Sequence, residues 1–119
     1  MNGSTQPNDT TPPSATINQA SGQVDPTSTS PIHFTVVFSE PVSGLSTGDV
    51  NLLGGTAGAT TATVTEVAPN NGTTYDVAVS GMTQAGFVVA TVPANAATDG
   101  SGNPNTASTS TDNTVTWQP

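Results

Sequence analysis

Lysine and arginine are absent from this chain, which carries eight Asp and Glu residues and one histidine, His33, for a formal charge of −8. No carboxylate can be met by a Lys or Arg side chain, so each must be solvated, hydrogen-bonded to neutral donors or met by a cation from outside. Nucleic acid is held largely by Lys and Arg on phosphates, and a chain of this charge repels it. Phosphate-handling and Schiff-base enzymes lose their usual residues in the same way, and a lysine-based isopeptide crosslink is chemically impossible. Cysteine is also missing, which removes disulfides, thiol catalysis and thiolate metal sites. One Trp, one Tyr and three Phe are too few to line the cleft that glycoside hydrolysis by paired carboxylates requires. No apolar run approaches the ~20 residues of a membrane span, and anionic surfaces repel the chain, so direct membrane insertion is not expected.

What is present is a field of Thr, Ser, Asn, Gly and Ala in which Val, Ile, Leu and Phe are clustered rather than scattered. That clustering marks an ordered β domain instead of a disordered chain. The length of 119 residues suits one domain with a modest core. Met1–Pro13 (MNGSTQPNDTTPP) carries almost no apolar residue and ends in two prolines, so it reads as a flexible linker, with the domain at residues 14–119. This segment lacks the basic start and apolar stretch of a signal peptide, and an export signal is expected elsewhere in a longer parent.

Apolar residues recur at period two in short runs separated by turn signals. In Pro31 to Ser39 (PIHFTVVFS), Ile32, Phe34, Val36 and Phe38 share one face of a half-buried strand, with His33, Thr35, Val37 and Ser39 on the other. Thr74 to Gly81 places Tyr75, Val77 and Val79 together, and Asn70-Asn71-Gly72 is a tight-turn signal joining it to Ala59 to Val67 as a hairpin. Phe87 to Val92 is apolar on both faces and reads as a central strand stopped by Pro93. Ser14 to Asn18 opens the domain, Thr114 to Trp117 closes it with Val115 and Trp117 inward, and Val50 to Leu53 is a weaker strand. No stretch sustains a helical period with caps. About seven short strands in about a hundred residues predict an all-β, immunoglobulin-like Greek-key sandwich.

Three segments carry a family resemblance: FTVVFSEPVSGLSTGDVNLLGGTAG, GTTYDVAVSGM and ATVPANAATDGSGNPNTASTSTDNTVTW. From about Asp9 to Trp117 the chain resembles one repeat of the bacterial immunoglobulin-like (Big-type) domains of large secreted and cell-surface proteins. FSEPV at Phe38 to Val42, DGSGNP at Asp99 to Pro104 and STDNTV at Ser110 to Val115 are its most specific elements. The resemblance implies an extracellular or bacterial-surface location and a non-catalytic module that spaces or displays other domains, commonly in adhesins. It also implies neighbouring repeats of the same kind as partners, and calcium near domain junctions in some members.

In the expected strand order, Glu40, Asp49, Asp99, Asp112 and Asp9 gather at the pole where the chain enters, while Asp25, Glu66 and Asp76 fall elsewhere. Crowded carboxylates without a basic partner repel one another unless a cation binds. Ca²⁺ is the natural candidate, taking about six to eight oxygens in flexible geometry. The expected calcium ligands are Glu40 and Asp99, with Asp9 and Asp112 as further candidates. The plain alternative is that Asp99-Gly100 and Asp112-Asn113 are ordinary turn formers bonded to nearby backbone N–H groups and that Glu40 is solvated.

Other chemistry is weaker. His33 faces away from the apolar side of its strand with no acid or nucleophile placed beside it by sequence, so a solvated histidine is expected. The Ser and Thr residues lack a base and a nucleophile-elbow context, and an intramolecular Thr–Gln ester has its components in Gln19, Gln23, Gln118 and His33 without a spacing that selects a pair. Trp117 and Tyr75 share the inward faces of their strands with Val115 and with Val77 and Val79, and are expected in the core. A carbohydrate- or ligand-binding module, meeting a glycan or surface ligand, is the second functional class. Thr-rich edge strands also raise pairing between chains.

Overall fold

The structure is a computed structural model that describes residues 10–119; Asp9 and the rest of the linker before it lie outside the described residues. Among the described residues there is no helix, and the chain forms β1 (Ala15–Gln19), β2 (Ile32–Phe38), β3 (Val42–Ser43), β4 (Thr61–Glu66), β5 (Thr74–Ser80), β6 (Gly86–Val89), β7 (Thr98–Asp99) and β8 (Thr114–Trp117). β1, β2, β5 and β4 form one antiparallel sheet in that order, while β6 pairs with β8 and β3 with β7. Bridges at Asn51–Thr91 and Thr27–Trp117 widen the layer built on β6 and β8.

The period-two pattern of β2 explains its position at the centre of the larger sheet. Ile32, Phe34, Val36 and Phe38 are buried, and the register opposes Ile32 to Val79, Phe34 to Val77 and Val36 to Tyr75. A one-residue slip would expose those four side chains, at about 1.5–3 kcal/mol each. The total rivals the whole stability of a small domain, about 5–15 kcal/mol, so the register is fixed by burial alone. Ile17, Phe34, Val77 and Val79 from the larger sheet join Val88, Ala90, Val115 and Trp117 from the smaller layer in one buried cluster. The result is an all-β, sandwich-like body.

β4 and β5 form the expected hairpin, with Glu66 opposite Tyr75 and Val64 opposite Val77. The stretch from Phe87 departs from expectation. Only Gly86–Val89 is a strand, Val88, Ala90 and Val92 are buried, and Phe87 is half exposed on the uncovered outer face. Val50 to Leu53 contributes one bridging residue, Asn51, because Leu53 turns out to solvent at 90% exposure.

The chain enters and leaves at opposite poles. Pro13 is buried and its carbonyl accepts the Thr106 N–H, while the Ser14 carbonyl accepts that of Ser39. These contacts set the N-terminal pole beside the end of β2. At the other pole Thr27 and β8 lie side by side, the Thr27 carbonyl accepting the Gln118 N–H.

Candidate functional site

Two of the four expected calcium ligands lie at the same pole. β3 follows directly after Glu40 and Pro41 and pairs with β7, Val42 opposite Asp99, so Glu40 and Asp99 share the N-terminal pole. Asp99 is 5% exposed. Its Oδ1 accepts the backbone N–H of Ser101 and of Asn103, each at 2.9 Å, and its Oδ2 accepts Asn103 Nδ2 at 3.0 Å. The Asp99 carbonyl accepts the Gly102 N–H, closing the turn. This carboxylate is buried because neutral donors surround it, and it organises the Asp-Gly-Ser-Gly-Asn loop as a turn former.

The other expected members do not gather there. Asp112 lies beside Gln19, whose N–H donates to the Asp112 carbonyl, because the preceding residues run parallel to β1 from Thr109 alongside Thr16. Gln19 opposes Phe34, so Asp112 lies level with the middle of β2, away from the end of that strand which Glu40 follows. The Asp112 backbone N–H donates to Asn18 Oδ1, which also accepts the N–H and hydroxyl of Thr111. Asp49 is carried away from the pole because the chain after β3 runs along the body to bridge Asn51 with Thr91. There its Oδ2 accepts the Ser46 N–H at 2.8 Å. Asp9 lies outside the described residues. Among the described residues no group of three or more His, Asp or Glu side chains is placed to hold a metal ion.

Glu66, expected elsewhere, stands at the N-terminal pole instead. Its Oε2 accepts the Gly72 N–H at 2.7 Å, and the Gly72 carbonyl accepts the Val42 N–H at 3.0 Å, linking the hairpin turn to β3. Its place as the last residue of β4 was the available signal, since a hairpin returns its closing residues to the pole where β2 ends. Tyr75 sits beneath it. Its hydroxyl lies 3.3 Å from the Gly72 carbonyl oxygen and 3.4 Å from that of Val42, and its ring meets Phe38 edge to face at 5.8 Å. Burial pushes the Tyr75 phenol above its ordinary 10.0, with the Glu66 charge adding in the same direction.

His33 has a partner that its sequence neighbourhood does not disclose. Its Nδ1 lies 3.1 Å from both carboxylate oxygens of Asp76, on the outer face of the larger sheet. The register pairs His33 with Ala78 and Thr35 with Asp76, so the two side chains meet on the diagonal between β2 and β5. Asn105 is a second residue the sequence does not signal. Only 2% exposed, it accepts the N–H of Ala96 and Ala97 at Oδ1 and donates Nδ2 to the carbonyls of Pro93 and Thr106. All four hydrogen-bonding positions of this amide are filled within a loop of its own neighbours.

Trp117 and Tyr75 are buried at 8% and 5% exposure, so neither ring offers a face to a sugar. Open grooves mark the surface of the described residues. One of about 450 Å³ lies between Gly48–Leu53 and Ala59–Ala62, and one of about 500 Å³ lies along Gly22–Pro31 with His33 at its edge. No family model matches this chain, and comparison with curated proteins and with solved structures finds no match either.

Proposed function

We propose that the chain is a non-catalytic spacer or display module of the bacterial immunoglobulin-like type, one unit in a repetitive, exported surface protein. The observation that carries this reading is the placement of Pro13 and Gln118 at opposite poles, tied respectively to Thr106 and Thr27. Copies joined in series through such ends extend rather than fold back. The sheet order β1-β2-β5-β4 supports it further, since immunoglobulin-like sandwiches place their first, second, fifth and fourth strands together in this order. A body with no Lys or Arg also offers trypsin-like proteases no cleavage site, which suits an exposed stalk.

In this reading calcium at a junction would stiffen the angle between neighbours. Glu40 and Asp99, which lie at the N-terminal pole with Glu66, would be its ligands, and further oxygens would come from Asp9 or from the preceding unit. Small-angle scattering on two copies joined by residues 1–13 tests the spacer. An extended pair should show a maximum dimension near twice that of one unit, each unit adding about 35–40 Å at roughly 3.3 Å per strand residue plus end loops. A compact, side-by-side pair would overturn the reading.

A further inference from the structure

The edges of the two layers are not equally protected. β1 is covered on its outer side by residues 109–112, whose carbonyls accept the N–H groups of Ile17 and Gln19. β8 is flanked by Thr27, and the Thr116 N–H is taken by Asp25 Oδ1 at 2.9 Å. β6 is flanked by Thr56 and Ala57, which donate to the Phe87 carbonyl. β4 is the outermost strand of the larger sheet with no strand beside it among the described residues.

The register of β4 shows which groups face outward. Val67 donates to Thr74 across the hairpin, and Thr65, Thr63 and Thr61 follow in the same phase opposite Asp76, Ala78 and Ser80. Successive residues alternate in the direction of their N–H and C=O, so those of Ala62, Val64 and Glu66 point away from β5. The usual guards of such an edge are missing. β4 has no Lys and no Pro, and its one charged residue, Glu66, is the last, at the rim of the face it shares with Ala62 and Val64. The open groove between Gly48–Leu53 and Ala59–Ala62 keeps space clear beside its first half.

One guard is present. The Ser46–Asp49 turn, closed by Asp49 Oδ2 on the Ser46 N–H, presents Thr47, whose Oγ1 accepts the Val64 N–H at 3.1 Å. This hydroxyl plugs the middle of the edge with one hydrogen bond from an exposed side chain.

We propose that the β4 edge is a self-association surface, on which a second copy of this chain pairs β4 to β4 in antiparallel fashion after Thr47 swings aside. The occupant follows from the pattern of the strand itself. Antiparallel pairing about a twofold axis at Thr63 sets the exposed Thr61, Thr63 and Thr65 against threonines of the other copy, a favourable cross-strand pairing. It sends the two Glu66 carboxylates to opposite ends, so no like charges meet. The −8 charge of each copy opposes the encounter and is screened by salt, so pairing strengthens as ionic strength rises. This surface stands apart from the poles and does not depend on the spacer reading.

Sedimentation velocity over a concentration series to about 1 mM, in about 0.5 M NaCl, tests it on the wild-type chain, Thr47→Val and Thr63→Lys, with circular dichroism verifying that each variant is folded. The wild type should form a reversible dimer. Thr47→Val, which keeps the shape and removes the plug, should tighten it by roughly two- to tenfold, the worth of one freed backbone hydrogen bond. Thr63→Lys, on the exposed face of the edge, should sediment as a monomer. Wild type and Thr47→Val that both remain monomeric, or a dimer undiminished in Thr63→Lys, would overturn the proposal; the second result would assign contact between copies to another face.

Discussion

Asp99 and Tyr75 stabilise the N-terminal pole through hydrogen bonds that can be removed one at a time. Replacing Asp99 with Ala strips the acceptor from two part-buried turn N–H groups and the Asn103 amide, a loss expected to cost about 1–3 kcal/mol. Asp99→Asn keeps Oδ1 as an acceptor and should cost clearly less. Chemical denaturation of the two variants measures the difference, and equal losses would contradict the turn-forming role. Tyr75 allows an unusually clean experiment with pH. The chain has no Lys, Arg or Cys and no other Tyr, so this phenol is the only side chain that ionises in the alkaline range. Its folded value is raised above 10.0 by burial and by Glu66, so the unfolded chain releases the proton first. Stability is therefore fully present below about pH 10 and falls as pH climbs through the folded value. Urea midpoints between about pH 9 and pH 11.5 should decline for the wild type. Tyr75→Phe should start lower by the net worth of one hydrogen bond, about 0.5–1.5 kcal/mol, and then stay level.

The hairpin of β4 and β5 is the element on which the pole depends, and Gly72 is its tightest point. Gly72 has φ +83°, and a Cβ there would stand 2.8 Å from the Val42 carbonyl oxygen. Gly72→Ala must adopt a left-handed backbone, at about 1–2 kcal/mol, and also push β3 away. A loss above about 2 kcal/mol is therefore expected, with the Tyr75 fluorescence reporting whether the turn has moved. A change within experimental error would mean that the turn relaxes freely. This hairpin was legible from the residues alone, because Asn70-Asn71-Gly72 specifies left-handed positions and the flanking alternation specifies the faces. β2, β5 and β8 were legible for the same reason, their buried residues falling at strict period two. Elements whose limits are set by remote contacts were not. Val50 to Leu53 has strand-like composition, yet Gly54 and Gly55 turn it aside, and the carbonyl of Phe87 takes the next two N–H groups of that chain, from Thr56 and Ala57. Of the expected carboxylate pole, Glu40 and Asp99 were readable from their closeness to strand ends. The displacement of Asp49 and Asp112 depends on where long connections run, as do the meeting of His33 with Asp76 and the fourfold bonding of Asn105, and strand spacing does not encode those paths.

The whole molecule is a nearly single-signed charge distribution. Apart from the His33–Asp76 contact, the charged side chains of the described residues can act on one another only by repulsion, and folding brings them closer than they are in an expanded chain. A pair of carboxylates about 12 Å apart in water repels by about 0.3 kcal/mol; several such pairs amount to a modest fraction of the stability of a small domain. Screening should remove that cost. Raising NaCl from about 0.01 M to about 1 M shortens the Debye length from about 30 Å to about 3 Å, and the thermal midpoint is expected to rise steadily over that range. The same scan supplies the baseline that a calcium measurement needs, because a divalent ion screens as well as binds. With ionic strength held constant, a junctional site that binds only the folded form should raise stability by mass action, by about 2.7 kcal/mol when free calcium is a hundredfold above its dissociation constant. Magnesium at equal concentration should give less, since it demands a tighter octahedral shell than Glu40 and Asp99 with borrowed carbonyls provide. The single unit and the two-copy tandem separate the sources of the remaining oxygens. A rise in both means that residues 1–119 complete the site themselves, whereas a rise confined to the tandem means that the preceding unit does. Midpoints that follow the sodium baseline in both chains would remove calcium from the proposed junction.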